Sequence, residues 1–288
     1  MENLQITTAS DVSVIVNGSP VQAPSTGKVA RQAPAAERSV YLSERLLQTP
    51  DRNLFNHVKF HLVKQVLDRI GIDNPAILDV GCGTQVARRY LTEIGLQFRY
   101  FGIDYEPDFK PDALVDLLNP APPAGRMPWQ PDVVMMLDVL EHLTEDRDEL
   151  VRILDQLSSW IPDTATVIVT LPQMYRLDRF KLPHLHYAEH KIRLRREEWM
   201  DILGNGFELQ FTQGLGYLSV IPYLPMASRR YHPENRLGSL FNHLRSRTFE
   251  WGPLKPADLL LSNSLGRLPF CKGAANDVLY VLKPRRSS

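Results

Sequence analysis

The chain has 288 residues, 43% of them hydrophobic and 23% charged, enough to bury one sizeable core or a core with a small cap. Lys plus Arg and Asp plus Glu each total 33, so no basic excess points to a nucleic-acid partner. Cys82 and Cys271 are the two cysteines, which excludes a disulfide framework or a cysteine-built zinc site. Residues 1 to about 38 are rich in Ser, Thr, Ala, Pro and Gly and read as a flexible tail. This segment lacks a secretory signal pattern, and no apolar run approaches a membrane span. A soluble, reduced, cytoplasmic protein is the expectation.

From residue 39 to 70 the pattern turns helical. Tyr41, Leu42, Leu46 and Leu47, then Leu54, Phe55, Val58, Leu62, Val63 and Val66, recur at helical spacing and predict two capping helices. An α/β alternation follows over 71–215. Strands are predicted at Pro75–Gly81, Phe98–Asp104, Ala113–Asp116, Asp132–Asp138, Ala165–Leu171 and Glu208–Leu215. Helices fall between them at Val86–Ile94, Glu145–Trp160 and Arg196–Leu203. Asp277–Leu282, in the terminal segment 276–288, reads as a last strand. This rhythm implies a mostly parallel sheet with helices on both faces.

Two stretches break the rhythm. Pro172–Leu194 carries His184, His186 and His190. Residues 216–275 are long for a simple connection and read as an insertion, a C-terminal substrate lid with Tyr217, Tyr223, Tyr231 and Phe241 as candidate walls. The insertion holds eight Arg and Lys against three acids, which suits an anionic acceptor. Its apolar stretch Tyr217–Pro225, near basic residues, would also suit a lipid-linked acceptor.

The chemistry concentrates at Asp79-Val80-Gly81-Cys82-Gly83, which closes a strand and precedes a helix, with Asp104 ending the next strand. Glycines permit the sharp turn and the close approach of a ligand to backbone. The helix N-terminus offers N–H groups and positive potential. An acid at the second strand's end accepts hydrogen bonds from ribose hydroxyls. Val86 stands where a dinucleotide fingerprint has its third glycine, and no Gly-Lys-Ser/Thr follows, so a dehydrogenase-type site is disfavoured and a P-loop excluded.

ILDVGCG (Ile77–Gly83), FGID (Phe101–Asp104), LVDL (Leu114–Leu117), LDVLEHL (Leu137–Leu143) and a helix ending in Gly206-Phe207 resemble the class I S-adenosylmethionine-dependent methyltransferases, in particular the group that includes the ubiquinone-biosynthesis O-methyltransferases. The resemblance implies a Rossmann-like seven-stranded sheet whose last strand is antiparallel, and S-adenosylmethionine as cofactor. By position it implies that Asp79, Gly81, Cys82 and Gly83 serve the methionine and ribose. It gives Asp104 the ribose hydroxyls, Tyr105 the adenine face, Asp116 and Leu117 the adenine edge, and Leu137 and Asp138 the methionine floor. Transfer would be an in-line displacement to a small-molecule or glycan-precursor oxygen, with nitrogen or carbon acceptors or a non-catalytic binding module as alternatives. The sequence Asp138-Val139-Leu140-Glu141 differs from the Asn/Asp-Pro-Pro-Tyr/Phe pattern of base N-methylation.

His142, after the fourth strand, and His190, before the helix at Arg196, are the candidate proton acceptors. His184, His186 and His190 have spacings that could approach one metal. Without HExxH or an acid set beside them, no metal is expected.

Overall fold

A computed structural model describes residues 54–119, 127–173, 190–219 and 252–285. The expected tail, the first capping helix, the histidines at 184 and 186, and most of the 216–275 insertion lie outside these residues.

The elements run in chain order: α1 (Leu54–Ile70), β1 (Ala76–Val80), α2 (Val86–Glu93), β2 (Arg99–Asp104), β3 (Ala113–Leu114) and β4 (Val133–Leu137). Then come α3 (Arg147–Trp160), β5 (Thr166–Pro172), α4 (Arg196–Gly206), β6 (Phe207–Leu215), α5 (Leu254–Ser264) and β7 (Asp277–Pro284). The strands form one seven-stranded sheet in the order β3-β2-β1-β4-β5-β7-β6. All pairings are parallel except those of β7, which runs antiparallel to both β5 and β6. Strand order reverses between β1 and β4, so the crevice outside their carboxyl ends is where such sheets take ligands.

Strands covered on both faces must be apolar at successive positions, and β1 and β4 are. Leu78, Val80, Val134 and Met136 face α3 and α4, where Leu150, Ile153, Leu154, Trp199 and Ile202 pack. Ile77, Val133 and Met135 face α1 and α2, against Val58, Leu62, Val63, Ala87 and Leu91. Helix α3 begins at Arg147, two residues later than its apolar pattern suggested. Asp146 caps it, accepting from the Asp148 and Glu149 N–H groups at 2.9 and 3.5 Å. The third strand is shorter than expected, ending at Leu114, whose side chain is exposed.

The described end of the insertion is built into the domain. Buried Asp258 of α5 accepts hydrogen bonds from the N–H groups of Tyr217, Leu218 and Ser219 at 2.6, 2.9 and 3.2 Å. Ser262 of the same helix accepts on Oγ from Gly216 N–H and on its carbonyl from Gln213 Nε2, tying α5 to the end of β6. Among the described residues, no helix is long and apolar enough to cross a membrane.

Candidate functional site

The turn after β1 is pinned to its neighbour. Gly81 and Cys82 both donate from backbone N–H to the Ile103 carbonyl of β2, at 2.8 and 3.0 Å. Gly81 sits at φ +70°, where a side chain is strained, and an added Cβ would lie 2.7 Å from Val139 Cγ2. The chain just after β4 therefore forms the wall against which the β1 turn closes. Gly83, at φ +51°, meets nothing within 4 Å on its Cβ side, so its backbone faces open space. Cys82 is buried, and burial, with the nearby Asp79, Asp104 and Asp112 carboxyls, pushes its thiol well above its ordinary range. It is a small filler beside Gly102 rather than a nucleophile.

Asp104 ends β2 directly opposite this turn. Its Oδ2 accepts from Gly83 N–H at 2.9 Å and its Oδ1 from Glu106 N–H at 3.0 Å. Burial raises its carboxyl above the ordinary value, against the lowering effect of these backbone donors. Each carboxylate oxygen has a second lone pair, so the group retains acceptor capacity. Tyr105 follows and is 63% exposed. Asp116 is half-buried and caps the Leu118 N–H at 3.0 Å, while Leu117 is buried. Asp79 lies deeper. Burial pushes its carboxyl up to about 7, opposed by a 2.6 Å hydrogen bond donated by the Tyr100 hydroxyl.

The tip of β4 holds a buried charge network with two members that the motif reading did not select. Asp138 adopts a left-handed backbone, φ +56°. Its Oδ2 receives the Lys59 ammonium of α1 at 2.6 Å, and its Oδ1 receives the Thr170 hydroxyl of β5 at 2.5 Å. Burial opposes its ionisation, but Lys59 and these hydrogen bonds outweigh that and hold the carboxyl below its ordinary value. Asp277, at the start of β7, goes the other way: burial first, then Asp138, raise it well above the usual range. A side-chain hydrogen bond between the two carboxyls works in the same sense, lowering Asp138 and raising Asp277. Lys59 had a sequence signal. It sits between Phe55 and Leu62 at positions 55, 59, 62 and 66, a polar residue in a core slot of the α1 stripe.

One turn further on, Glu141 and His142 lie in a short 3-10 turn, Leu140–His142. The Glu141 carbonyl accepts from the Lys191 and Ile192 N–H groups at 2.8 and 3.2 Å, which anchors the segment carrying His190. The rings of His142 and His190, separated by 48 positions in sequence, have centroids 4.8 Å apart and meet edge to face. Glu141 is buried, and one potential ligand atom from each of Glu141, His142 and His190 lies within 4.8 Å of the others. The two candidate histidines therefore meet in space, with Glu141 beside them.

A family model described as a methyltransferase domain matches residues 51–206, more than half the chain. The chain belongs to that family, and it is a class I S-adenosylmethionine-dependent methyltransferase. No curated protein matches the sequence. Among solved structures, a chain from the complex of the Haloferax volcanii Trm112 methyltransferase activator with a methyltransferase is similar at 12% identity and TM-score 0.51, with 88% of this chain and 98% of that one covered. A methyltransferase from Clostridium acetobutylicum is similar at 10% identity and TM-score 0.47, covering 87% and 99%. The PH0226 protein of Pyrococcus horikoshii gives 11% and 0.45, covering 79% and 90%. At such identities the likeness of the first is one of fold.

The residues at the crevice fit the cofactor. S-adenosylmethionine brings a sulfonium and an ammonium, and the tips of β1, β2 and β4 present Asp79, Asp104 and Asp138. Gly83 donates its N–H to the Asp104 carboxylate and has open space on its Cβ side.

Proposed function

We propose that this enzyme methylates an oxygen of a small molecule or glycan precursor, as its resemblance to the ubiquinone-biosynthesis O-methyltransferase group suggests. Asp104 would hold the ribose hydroxyls, with Gly81, Cys82 and Gly83 backing the methionine and ribose through their main chain. Tyr105 would cover the adenine, and Asp116 and the Leu117 backbone would read its edge. Asp79 would serve the methionine ammonium, and Leu137 and Asp138 would form the floor below it.

When bound, the cofactor supplies an electrophilic methyl on sulfur. The remaining work falls to this chain's residues: to bring an acceptor oxygen in line and to deal with its proton. The observation that carries the oxygen reading is the contact of His142 with His190 beside the β4 tip. Two imidazoles there suit a hydroxyl, which must lose its proton as the O–C bond forms and the S–C electron pair passes to sulfur.

The anionic-acceptor idea draws on the basic insertion. Its described members Arg267 and Lys272 line a cavity of about 530 Å³ with Arg69, Phe211 and Thr212 on the β6 side, so a role at the acceptor would fall to the arginines between 229 and 247. The neutral overall charge favours a small molecule over nucleic acid.

The test is to incubate cell extract with the protein and cofactor carrying a deuterated methyl group, then to find by mass spectrometry what gains the label. A small molecule labelled on oxygen is expected. Label on nitrogen or carbon, or in RNA or protein, would overturn the acceptor assignment.

A further inference from the structure

We infer that the cavity along β6 is a second ligand site, separate from the methyl-transfer crevice, and that it takes an organic phosphate: a phosphate ester carried on an apolar body. Strand β6 is the outermost of the sheet, three strand spacings from β4, or roughly 14 Å. Thr212, in the cavity wall, precedes the end of β6 at Leu215 by a further setback of about 10 Å. The cavity therefore lies well away from the tips of β1, β2 and β4.

Its charge is of one sign. Arg69, Arg267 and Lys272 line the cavity, and no acid does. Among the described residues, none of these three cations is in an ion pair. The Lys272 ammonium donates to the Thr212 hydroxyl at 2.8 Å, and an ammonium has two more N–H groups to offer. Burial first, then the charge of Arg196, lowers Lys272 below its ordinary value, an effect that a bound anion would oppose. The Arg69 guanidinium sits 5.7 Å from the centre of the Phe211 ring.

The backbone that carries these cations is held in place. Arg69 belongs to the last turn of α1. Arg267 ends a short 3-10 turn, Leu265–Arg267, that lies flat on β6, because Gly266 is so close that an added Cβ would fall on the Gly214 carbonyl oxygen. Gly214 in turn lets the chain at Lys272 approach, since a Cβ there would lie 3.2 Å from Lys272 Cα. Gln173 Nε2 donates to the Lys272 carbonyl at 2.8 Å, and the Tyr217 hydroxyl to the Cys271 carbonyl at 3.1 Å. Less ordering is then left for a ligand to impose.

The class of ligand follows from charge and volume. A phosphate monoester carries about two negative charges, with oxygens on several sides, and guanidinium groups meet it with paired N–H donors. A carboxylate brings one charge and would leave two of the three cations unmatched. The volume of about 530 Å³ falls in the small-molecule range of about 300–1,000 Å³, larger than a lone phosphate needs. Leu209, 38% exposed, and Phe211 supply an apolar wall for the body of the ester.

The experiment is a calorimetric titration of phenyl phosphate into the full chain near neutral pH, with the crevice saturated by S-adenosylhomocysteine. One equivalent should bind with Kd below about 1 mM, and inorganic phosphate should bind at least about tenfold more weakly because it leaves the apolar wall uncovered. Arg267→Met and Lys272→Met, which keep the side-chain stems, should each weaken phenyl phosphate at least about fivefold. Both variants are checked by circular dichroism and by an unchanged affinity for S-adenosylhomocysteine. As a readout that needs no variant, phenyl phosphate should shield Lys272 of the unaltered protein from acetic anhydride, read by mass spectrometry, while the exposed Lys110 stays reactive. No binding up to about 10 mM, undiminished binding in both variants, or unshielded Lys272 would overturn the site. Equal binding of inorganic phosphate would overturn the organic body. Binding that disappears once S-adenosylhomocysteine fills the crevice would overturn the separation of the two sites.

Discussion

Replacing Gly81 by alanine tests how tightly the β1 turn is closed against the loop after β4. Two costs add. Alanine at φ +70° is strained by about 1–2 kcal/mol. The new methyl would also lie 2.7 and 2.8 Å from the two Cγ atoms of Val139, an overpacking that costs about 1–3 kcal/mol. Gly81→Ala should therefore lose roughly 2–5 kcal/mol in urea unfolding. Val139→Ala alone should cost about 1–3 kcal/mol, since it deletes two methyl groups from a buried side chain. In the double variant the clash vanishes while the backbone strain remains. The double mutant should be more stable than the sum of the single losses by about 1–3 kcal/mol. Purely additive losses would refute the contact, and a Gly81→Ala protein as stable as the parent would refute both terms.

Three further outcomes follow from the site. Lys59→Met leaves the part-buried Asp138 carboxylate without its ammonium and should destabilise the protein by about 1–3 kcal/mol, with Asp138→Asn in the same chain restoring much of it; equal losses in single and double variants, by chemical denaturation, would contradict the pairing. The Asp79 carboxyl is raised to about 7 in the fold, so its contribution to stability is present below about pH 4 and is lost as pH rises through 7. Relative to Asp79→Asn, which has no such titration, the parent should lose up to about 4 kcal/mol between pH 4 and pH 8, and parallel stability curves for the two proteins would argue against that shift. His142→Ala and His190→Ala should each lower kcat about 10²–10⁴-fold while cofactor affinity changes less than about threefold; full turnover in both would remove the acceptor-side role.

Much of this architecture is readable along the chain because its signals are local. The unbroken apolar runs of β1 and β4 report strands covered on both faces, and the observed sheet has helices on both sides of them. The interval from Gly83 to Asp104 reports two adjacent strand tips, and the structure joins them by a 2.9 Å hydrogen bond. Where the sequence falls short, the cause is contact between distant segments. Lys59 looks like one more charged helix residue until α1 is laid across the β4 tip, where Asp138 accepts from its ammonium. Asp277 reads only as the first residue of a strand, yet the antiparallel course of β7 brings it beside Asp138. In sequence His190 stands nearest the histidines at 184 and 186, which lie outside the described residues. Among the described residues it meets His142, because the Glu141 carbonyl captures the chain just after it. The insertion likewise reads as one lid, but buried Asp258 and Ser262 fasten its last helix to the end of β6.

The most direct test is a calorimetric titration of S-adenosylhomocysteine into the purified protein and into Asp104→Ala. One equivalent should bind the parent, and removing the Asp104 carboxylate should weaken binding by at least about 100-fold, the worth of two hydrogen bonds to a charged acceptor. No binding to the parent, or equal affinity in the two proteins, would contradict the placement of the adenosyl group between the β1 turn and the tip of β2.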